Sequence, residues 1–362
     1  MKSKSPTYYG HYLKTEELLG LQQLESQRLG VDAHDEMLFI VIHQVYELWF
    51  KQILHDLESV LGFFSSSGVD DARLGTCVAR LERITEIQKL LLQQIDVLET
   101  MTPMDFLDFR DLLIPASGFQ SVQFRRIENL MGLQKEKRLT FGNQSYLARL
   151  SPTDREALER SESITPLFDR VQAWLERTPF LNWGGFSFWQ EYRKAVDMML
   201  EKDKHMIEGA QGMDPAFRTQ QLEMLERTRG SFQLVLDEKK HDELQAAGAW
   251  RLSFAATQAA LFVFLYRDYP ALQAPYRLLQ NLINIDEAWT QWRYRHALMA
   301  QRMIGTKIGT GGSSGSDYLQ RATESHKVFQ DFTKLSTFFI PRAALPKLPQ
   351  ELADQLSLVY SR

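Results

Sequence analysis

The chain has 362 residues, of which 44% are hydrophobic and 24% charged, an ordinary balance for a globular protein that can bury a large core. Its 42 basic and 46 acidic residues give a formal net charge of −4, which argues against bulk binding to nucleic acid or to an anionic membrane. The one cysteine, Cys77, excludes an internal disulfide and a cysteine-based zinc site.

Two further features bear on where the protein works. The first residues, MKSKSPTYYG, lack the apolar core of a signal peptide. The longest apolar run, at about 252–266, is too short to cross a bilayer and contains Ser253, Thr257 and Gln258. We therefore expect a cytoplasmic, reducing environment and no membrane partner.

Apolar residues recur at helical spacing along nearly the whole chain. The pattern, with glycines and prolines between its segments, predicts helices at 34–63, 70–100, 105–113, 152–177, 186–211, 214–246, 251–267, 271–304 and 316–337. We find no convincing strand alternation, repeat or domain linker. The sequence therefore predicts an all-α fold, a multi-helix bundle with a helical extension near 140–245.

The first candidate site lies on the helix predicted at 34–63. Phe39, His43 and Glu47 are spaced four residues apart and so share one helix face. A histidine among aromatic side chains could hydrogen-bond a substrate N–H group or shuttle a proton. On spacing alone, a buried histidine bonded to a backbone carbonyl is the better interpretation.

His43 and Glu47 also have the spacing of metal ligands on a helix. The Glu-x-x-His pairs of di-iron bundles and the His-Glu-x-x-His motif are both absent from the chain. A mononuclear iron site that adds His34 or His55 stays open, although no spacing selects it.

The second candidate is Arg110, which follows Phe106 by one helical turn. Ser117 looks like the N-cap of the next helix, and Gln120 completes a possible capping box. An arginine close to a helix N-terminus could bind a carboxylate through a bidentate pair and backbone amides. The spacing itself favours a weaker role, an ion pair with a neighbouring aspartate at 105, 108 or 111.

The third candidate is His296, in a segment without acidic residues between Glu287 and Asp317. The same segment carries four cations and then a glycine-rich loop at 309–315; the cations are Arg293, Arg295, Arg302 and Lys307. Imidazole is a standard ligand of heme iron, and cations can pair with heme propionates. A core or surface histidine is the commoner role of a lone helical histidine.

The glycine-rich loop fits neither phosphate-binding motif. It lacks a Gly-Lys-Ser/Thr ending, and Ser314 stands where the dinucleotide motif requires glycine. A surface connection is the simplest alternative to a ligand-binding loop.

Taken together, six segments resemble the tryptophan 2,3-dioxygenase family in order, spacing and residue identity. They are 9–13 (YGHYL), 34–44 (HDEMLFIVIHQ), 46–51 (YELWFK), 105–110 (DFLDFR), 115–121 (PASGFQS) and 292–315. The resemblance covers nearly the whole chain and is weakest at about 140–245 and after 340. It implies an all-helical homotetramer with heme b that opens the indole ring of L-tryptophan with O2 to give N-formyl-L-kynurenine.

The resemblance also implies roles for residues near the heme and the substrate. His296 would be the axial ligand of the iron, and His43 would accept a hydrogen bond from the indole N–H. Arg110 would pair with the substrate carboxylate, and Thr310 would bond the ammonium or the carboxylate group of the substrate.

Further matching positions imply the walls of the pocket and a shared site. Phe39 and Phe106 would flank the indole, whereas Ser117 and Gly118 would lie against the distal heme face. Tyr9 and Tyr12 match tyrosines that reach a neighbouring subunit's pocket. The expected organisation is thus an N-terminal segment at 1–33 that contacts a neighbour, and an all-helical heme dioxygenase domain at 34–362.

Two other functions would share many of these motifs. A related heme enzyme could insert one oxygen atom into a tryptophan derivative, and a non-enzymatic protein could use the heme as a sensor. Such a protein could also be a heme carrier, but an amino-acid clamp formed by Arg110 and Thr310 speaks against a carrier, because the clamp has no use without an amino-acid ligand.

Overall fold

The computed structural model describes residues 7–64, 71–138, 147, 150–305 and 315–357, and these residues are predominantly helical. This confirms the predicted all-α class. The first half contains α1 (Tyr9–Leu13), α2 (Thr15–Leu19), α3 (Glu25–Leu29), α4 (Glu36–Phe64), α5 (Asp71–Leu98), α6 (Pro103–Arg110), α7 (Val122–Met131), α8 (Pro152–Glu162) and α9 (Leu167–Leu175). The second half contains α10 (Phe188–Gly209), α11 (Pro215–Leu236), α12 (Glu238–Ala246), α13 (Phe254–Leu265), α14 (Pro270–Ile304), α15 (Gly315–Ser325), α16 (Gln330–Lys334) and α17 (Gln350–Leu356).

Three long helices form the centre of the fold. Helix α5 packs along both α4 and α14, while α7 covers α4 and α15 covers α14. The apolar spacing seen in the sequence explains this packing, since Phe50, Ile53 and Leu57 of α4 are almost fully buried. These helices therefore provide a rigid frame for the side chains between them.

Three predicted helices are interrupted, so the predicted bounds were wrong there. The helix at 152–177 divides into α8 and α9 before Pro166, because proline disfavours helical backbone at the residue before it. The helix at 214–246 divides at Asp237, whose carboxylate accepts the amides of Lys239 and Lys240 and so starts α12. The helix at 316–337 also breaks, after Ser325.

The break after α15 is stabilised by a buried carboxylate on α14. Asp286 accepts the amide N–H groups of Val328 and Phe329, each at 2.9 Å. These bonds satisfy backbone groups that a continuous helix would have paired internally. They also attach the turn that carries His326 to the central helix α14.

Two more differences concern short elements. Ser117 and Gln120 form the predicted capping box, but they start only a 3-10 turn at Gly118–Gln120, and α7 begins afterwards at Val122. No strand was expected, yet Asn182–Trp183 and Phe186–Ser187 pair as the antiparallel strands β1 and β2. Gly184 and Gly185 form the turn with positive φ angles of 50° and 85°, which glycine tolerates best.

The region predicted as a helical extension contains α8 to α12, with α10 packed on α11. Among the described residues, none of the helices combines the length and the apolar character needed to span a bilayer.

Candidate active site

A cavity of about 330 Å³ lies between the central helices and α7, within the size range of small-molecule and cofactor sites. Six residues for which the family resemblance implies a role line it: Phe39, His43, Phe106, Ser117, Gly118 and His296. They come from α4, α6, the turn before α7, and α14. The structure therefore brings together positions that lie more than 250 residues apart in the chain.

His296 carries the features of an uncommitted metal ligand. It lies on α14 and borders the cavity, and its Nδ1 atom is buried with no hydrogen-bond partner in the described part of the protein. Burial, together with the charge of His43, lowers the pKa of His296 to about 4. The imidazole is therefore neutral near pH 7, the form that binds a metal ion.

The residues around His296 fit a large flat ligand. The ring of Trp292 lies 5.2 Å from the imidazole between centroids, and Met299, Ala300 and Met303 continue the cavity wall along α14. An apolar wall, a neutral imidazole and an unpaired buried nitrogen are consistent with heme in this cavity.

His43 is bonded to a backbone carbonyl, as the alternative favoured by its spacing required, but its side chain is exposed in the single chain rather than buried. Its Nδ1 atom lies 2.7 Å from the carbonyl oxygen of Phe39, and the Phe39 ring packs 4.1 Å away between centroids. A carbonyl only accepts hydrogen bonds, so Nδ1 carries the proton and Nε2 keeps a lone pair. Desolvation lowers the pKa of His43, against the opposing effects of the hydrogen bond to the Phe39 carbonyl and of Glu47, so the neutral form is favoured. The bond thus leaves His43 able to accept a hydrogen bond from a ligand.

The competing metal site at His43 and Glu47 has no support. Gln123 donates from Nε2 to the Glu47 carboxylate and to its backbone carbonyl, each at 2.8 Å. The described ranges contain no group of three or more histidine, cysteine or acidic side chains placed to hold a metal ion. A mononuclear iron site with His34 or His55 is therefore not supported there.

Arg110 is the last residue of α6, one turn after Phe106, but it is not one of the residues that line the cavity. Its side chain is 13% exposed, and Nη1 donates to the exposed carboxylate of Asp111 at 3.2 Å. This is the local ion pair that the spacing favoured. The carboxylate clamp stays a prediction.

Two other predicted residues do not line the cavity within the described structure, and a third lies outside the described residues. Tyr9 and Tyr12, on α1, are 72% and 74% exposed. Thr310, together with Lys307 and the glycines at 309–312, lies outside the described residues. Their proposed roles therefore stay predictions.

The cations near His296 separate into different environments. Arg293 is buried at the cavity wall, whereas Arg295 pairs with Asp96 and Glu99 of α5. Arg302 is exposed. Of these three, only Arg293 is placed to meet a ligand in the cavity.

Several residues of the cavity wall were not predicted from the sequence, including Arg125, Glu128 and His326. Arg125 and Glu128 lie among Ile127 and Leu130 on the buried part of α7, and charged residues within such a run are a usable signal. Their meeting with His326 depends on tertiary packing, which no local pattern reports.

Comparison with known proteins gives a consistent result. The profile of the family described as tryptophan 2,3-dioxygenase matches residues 1–339. A protein named tryptophan 2,3-dioxygenase from Bdellovibrio bacteriovorus is 48% identical over 98% of this chain and 99% of its own length. Proteins of the same name from Alteromonas mediterranea and Mus musculus are 46% and 43% identical, covering 98% and 96% of this chain and 98% and 85% of their own lengths.

Proposed function

The chain belongs to the tryptophan 2,3-dioxygenase family, and from that premise we propose that it opens the indole ring of L-tryptophan with O2. The product is N-formyl-L-kynurenine, the first intermediate of tryptophan breakdown by the kynurenine route. The observation that carries the proposal is the cavity in which His43 and His296 lie together, beside Phe39 and Phe106.

We propose heme b as the cofactor, with His296 as the only protein ligand of the iron. The neutral imidazole and its unpaired buried Nδ1 atom support this assignment. When bound, the heme supplies the activation of O2, and both oxygen atoms end in the product, so no external reductant is consumed in each turnover.

The chain's own residues orient the substrate and exclude water. His43 accepts a hydrogen bond from the indole N–H at Nε2, since its Nδ1 is committed to the Phe39 carbonyl. Phe39 and Phe106, whose ring centroids are 5.7 Å apart, line the part of the cavity that takes the indole. Holding the ring between aromatic side chains and one acceptor converts a bimolecular encounter into an oriented reaction.

The charged end of the amino acid needs partners outside this apolar wall. We assign Arg110 as the partner of the substrate carboxylate. Thr310 would bond either the ammonium or the carboxylate group of the substrate. Ser117 and Gly118 lie at the cavity wall and would contact the distal face of the heme.

The mass of the product tests the proposed function. Ferrous, heme-loaded protein given L-tryptophan and O2 should yield a product with the mass of tryptophan plus two oxygen atoms, with the pyrrole ring opened.

Replacing His43 by alanine should slow turnover without removing the heme. The variant loses the acceptor for the indole N–H, and a hydrogen bond of this kind is worth roughly 1 kcal/mol, about fivefold in kcat/KM. Heme content and steady-state kinetics are measured side by side. Full loss of heme from the variant would contradict this role and make His43 a structural residue or a second iron ligand.

We also propose a homotetramer in which the N-terminal segment completes a neighbour's active site. Tyr9, Tyr12 and Leu19 are each more than 70% exposed on α1 and α2, so the single chain leaves these side chains uncovered.

We also propose a cytoplasmic location, and the single buried thiol of Cys77 is compatible with it.

Deleting residues 1–15 should weaken tryptophan binding more than heme binding. Hybrids of this deletion with full-length His296→Ala should regain activity, because one chain supplies the heme site and the other supplies the N-terminal tyrosines. Purified hybrids are assayed against each parent. Inactive hybrids of proven mixed composition would contradict a shared site.

A further inference from the structure

Tyr46, on α4, connects the three long helices at the level of the cavity. Its side chain is buried and forms part of the cavity wall. The hydroxyl group donates a hydrogen bond to the backbone carbonyl of Leu91 on α5 and accepts one from Nε1 of Trp292 on α14, at 3.2 Å. A phenol hydroxyl has one proton to donate and lone pairs that accept, so this group uses both capacities. One hydroxyl group therefore links α4 to α5 and to α14.

The hydroxyl group, rather than the ring, distinguishes tyrosine at this position. Burial raises the pKa of Tyr46 to about 12, although the hydrogen bond from Trp292 acts against the rise. The hydroxyl therefore keeps its proton near neutral pH and can donate to the Leu91 carbonyl. Phenylalanine would fill nearly the same space but would leave the indole N–H of Trp292 without this acceptor. The two hydrogen bonds are thus what tyrosine adds to the cavity wall.

Trp292, the partner of Tyr46, lies directly against His296. The two residues are four positions apart on α14 and so share one helix face. Their ring centroids are 5.2 Å apart, with 54° between the ring planes. Nδ1 of His296 has no hydrogen-bond partner in the described part of the protein, so ring packing rather than a bond at Nδ1 holds the imidazole. The orientation of Trp292 therefore limits how the imidazole can turn.

The hydrogen bond to Tyr46 is the directional contact of the Trp292 ring. The ring also packs against Phe124 and Trp289, at 5.4 Å and 5.7 Å between centroids. Apolar packing of this kind has little directional preference, whereas an N–H···O hydrogen bond weakens steeply when it is misaligned. The bond at Nε1 therefore selects one orientation of Trp292 among those that the apolar contacts allow.

The same hydrogen bond joins the two helices that carry the candidate histidines. Tyr46 follows His43 by three residues on α4, and both side chains line the cavity. Trp292 and His296 line it from α14. The bond between Tyr46 and Trp292 therefore holds α4 and α14 together within about one helical turn of each histidine.

We propose that Tyr46 is a positioning residue for the iron ligand. Through Trp292 it holds the His296 imidazole in the orientation that binds the metal, and it fixes α4, with His43, relative to α14. This inference rests on the proposed heme site. A ligand whose orientation is set before the metal arrives loses less conformational freedom on binding, so the metal is held more tightly and in one geometry.

Tyr46→Phe in the full-length, heme-loaded protein tests this role through two measurements that do not depend on turnover. Transfer of ferric heme to an excess of a heme-free globin should be about fivefold faster than from wild type, the factor that corresponds to one hydrogen bond of ordinary strength. The iron–histidine stretching band of the ferrous protein, measured by resonance Raman spectroscopy, should shift or split, because the imidazole is no longer held in one orientation.

Tyr266→Phe is the matched control. Tyr266, just after α13, is also buried and donates from its hydroxyl group to a backbone carbonyl, that of Pro346, at 2.7 Å, but it does not line the cavity. Both variants lose the same atom and should lower the midpoint of urea unfolding by similar amounts. Heme transfer and the iron–histidine band of Tyr266→Phe should match wild type. The same spectral and kinetic changes in the control would indicate general loosening of the protein and overturn the proposal.

Trp292→Phe shows whether Tyr46 acts through Trp292. This variant keeps a ring beside His296 but has no N–H group to donate, while Tyr46 keeps its bond to Leu91. Heme transfer from it should be faster by at least the factor seen for Tyr46→Phe, and the double variant should show no further increase. Effects that multiply in the double variant would mean that Tyr46 acts by another route and would overturn the proposal. If Tyr46→Phe does not fold, wild-type heme transfer and an unchanged band in Trp292→Phe would overturn it as well.

The outcomes for wild type separate this inference from the heme site itself. Wild type that binds no heme, or whose ferrous form lacks an iron–histidine band, overturns the heme site and the role of Tyr46 with it. Wild type that shows both, together with a Tyr46→Phe variant that matches it in heme transfer and in the band, leaves the heme site standing and overturns the role of Tyr46 alone.

Discussion

His296→Ala should purify with little or no heme, while the protein itself remains folded. The imidazole is the only iron ligand that we assign, and its pKa of about 4 keeps it neutral and able to bind over the whole range in which the protein would be handled. Alanine removes the ligand without adding charge to the cavity. The measurement is the ratio of heme to protein, together with the ferrous Soret band.

His205→Ala is the matched control for this experiment. His205 lies on α10, is exposed, and has Nδ1 within 2.9 Å of the carbonyl of Glu201, so its loss changes nothing at the cavity. The control should carry as much heme as wild type. Wild-type heme content and an unchanged ferrous spectrum in His296→Ala would show that another residue binds the iron.

The second large effect concerns substrate recognition by Arg110. Wild type should strongly prefer L-tryptophan to tryptamine, which lacks the carboxylate, and Arg110→Ala should largely remove that preference. Losing one partner of a buried charge pair costs roughly 2–5 kcal/mol, a factor of tens to thousands in kcat/KM. The measurement is kcat/KM for both substrates with each variant.

Arg126→Ala serves as the control for Arg110→Ala. Arg126, on α7, donates to the exposed Glu58 in a surface ion pair. The same substitution there removes a guanidinium group from the protein surface, where an ion pair contributes little. It should leave the preference unchanged. If Arg110→Ala keeps the full preference for L-tryptophan over tryptamine, Arg110 does not bind the substrate carboxylate.

Local patterns were sufficient for the class of fold and for the main candidates. Periodicity placed His43 and Phe39 on one face of α4, and the four-residue spacing also explains the bond between His43 and the Phe39 carbonyl. Pro166 and Asp237 are recognisable signals of a helix boundary. The apolar pattern continues across both positions, however, so periodicity alone predicted one helix where the structure has two.

Other features depend on packing between distant parts of the chain. Glu128, on α7, contacts Arg293 and His326, which lie more than 160 residues later in the chain. No spacing rule connects such positions, because their meeting depends on how α7, α14 and the turn after α15 pack. The strands β1 and β2 were missed since two residues are too few to show alternation.

The central claim is that the chain places both atoms of O2 into L-tryptophan, and isotope labelling tests it most directly. Ferrous, heme-loaded protein is mixed with L-tryptophan and 18O2, and the product is analysed by mass spectrometry. We expect N-formyl-L-kynurenine carrying two labelled oxygen atoms, formed over many turnovers without stoichiometric reductant. A main product with one labelled oxygen and an intact pyrrole ring would contradict it and indicate a monooxygenase. No product, with heme and tryptophan both shown to be bound, would indicate a sensor.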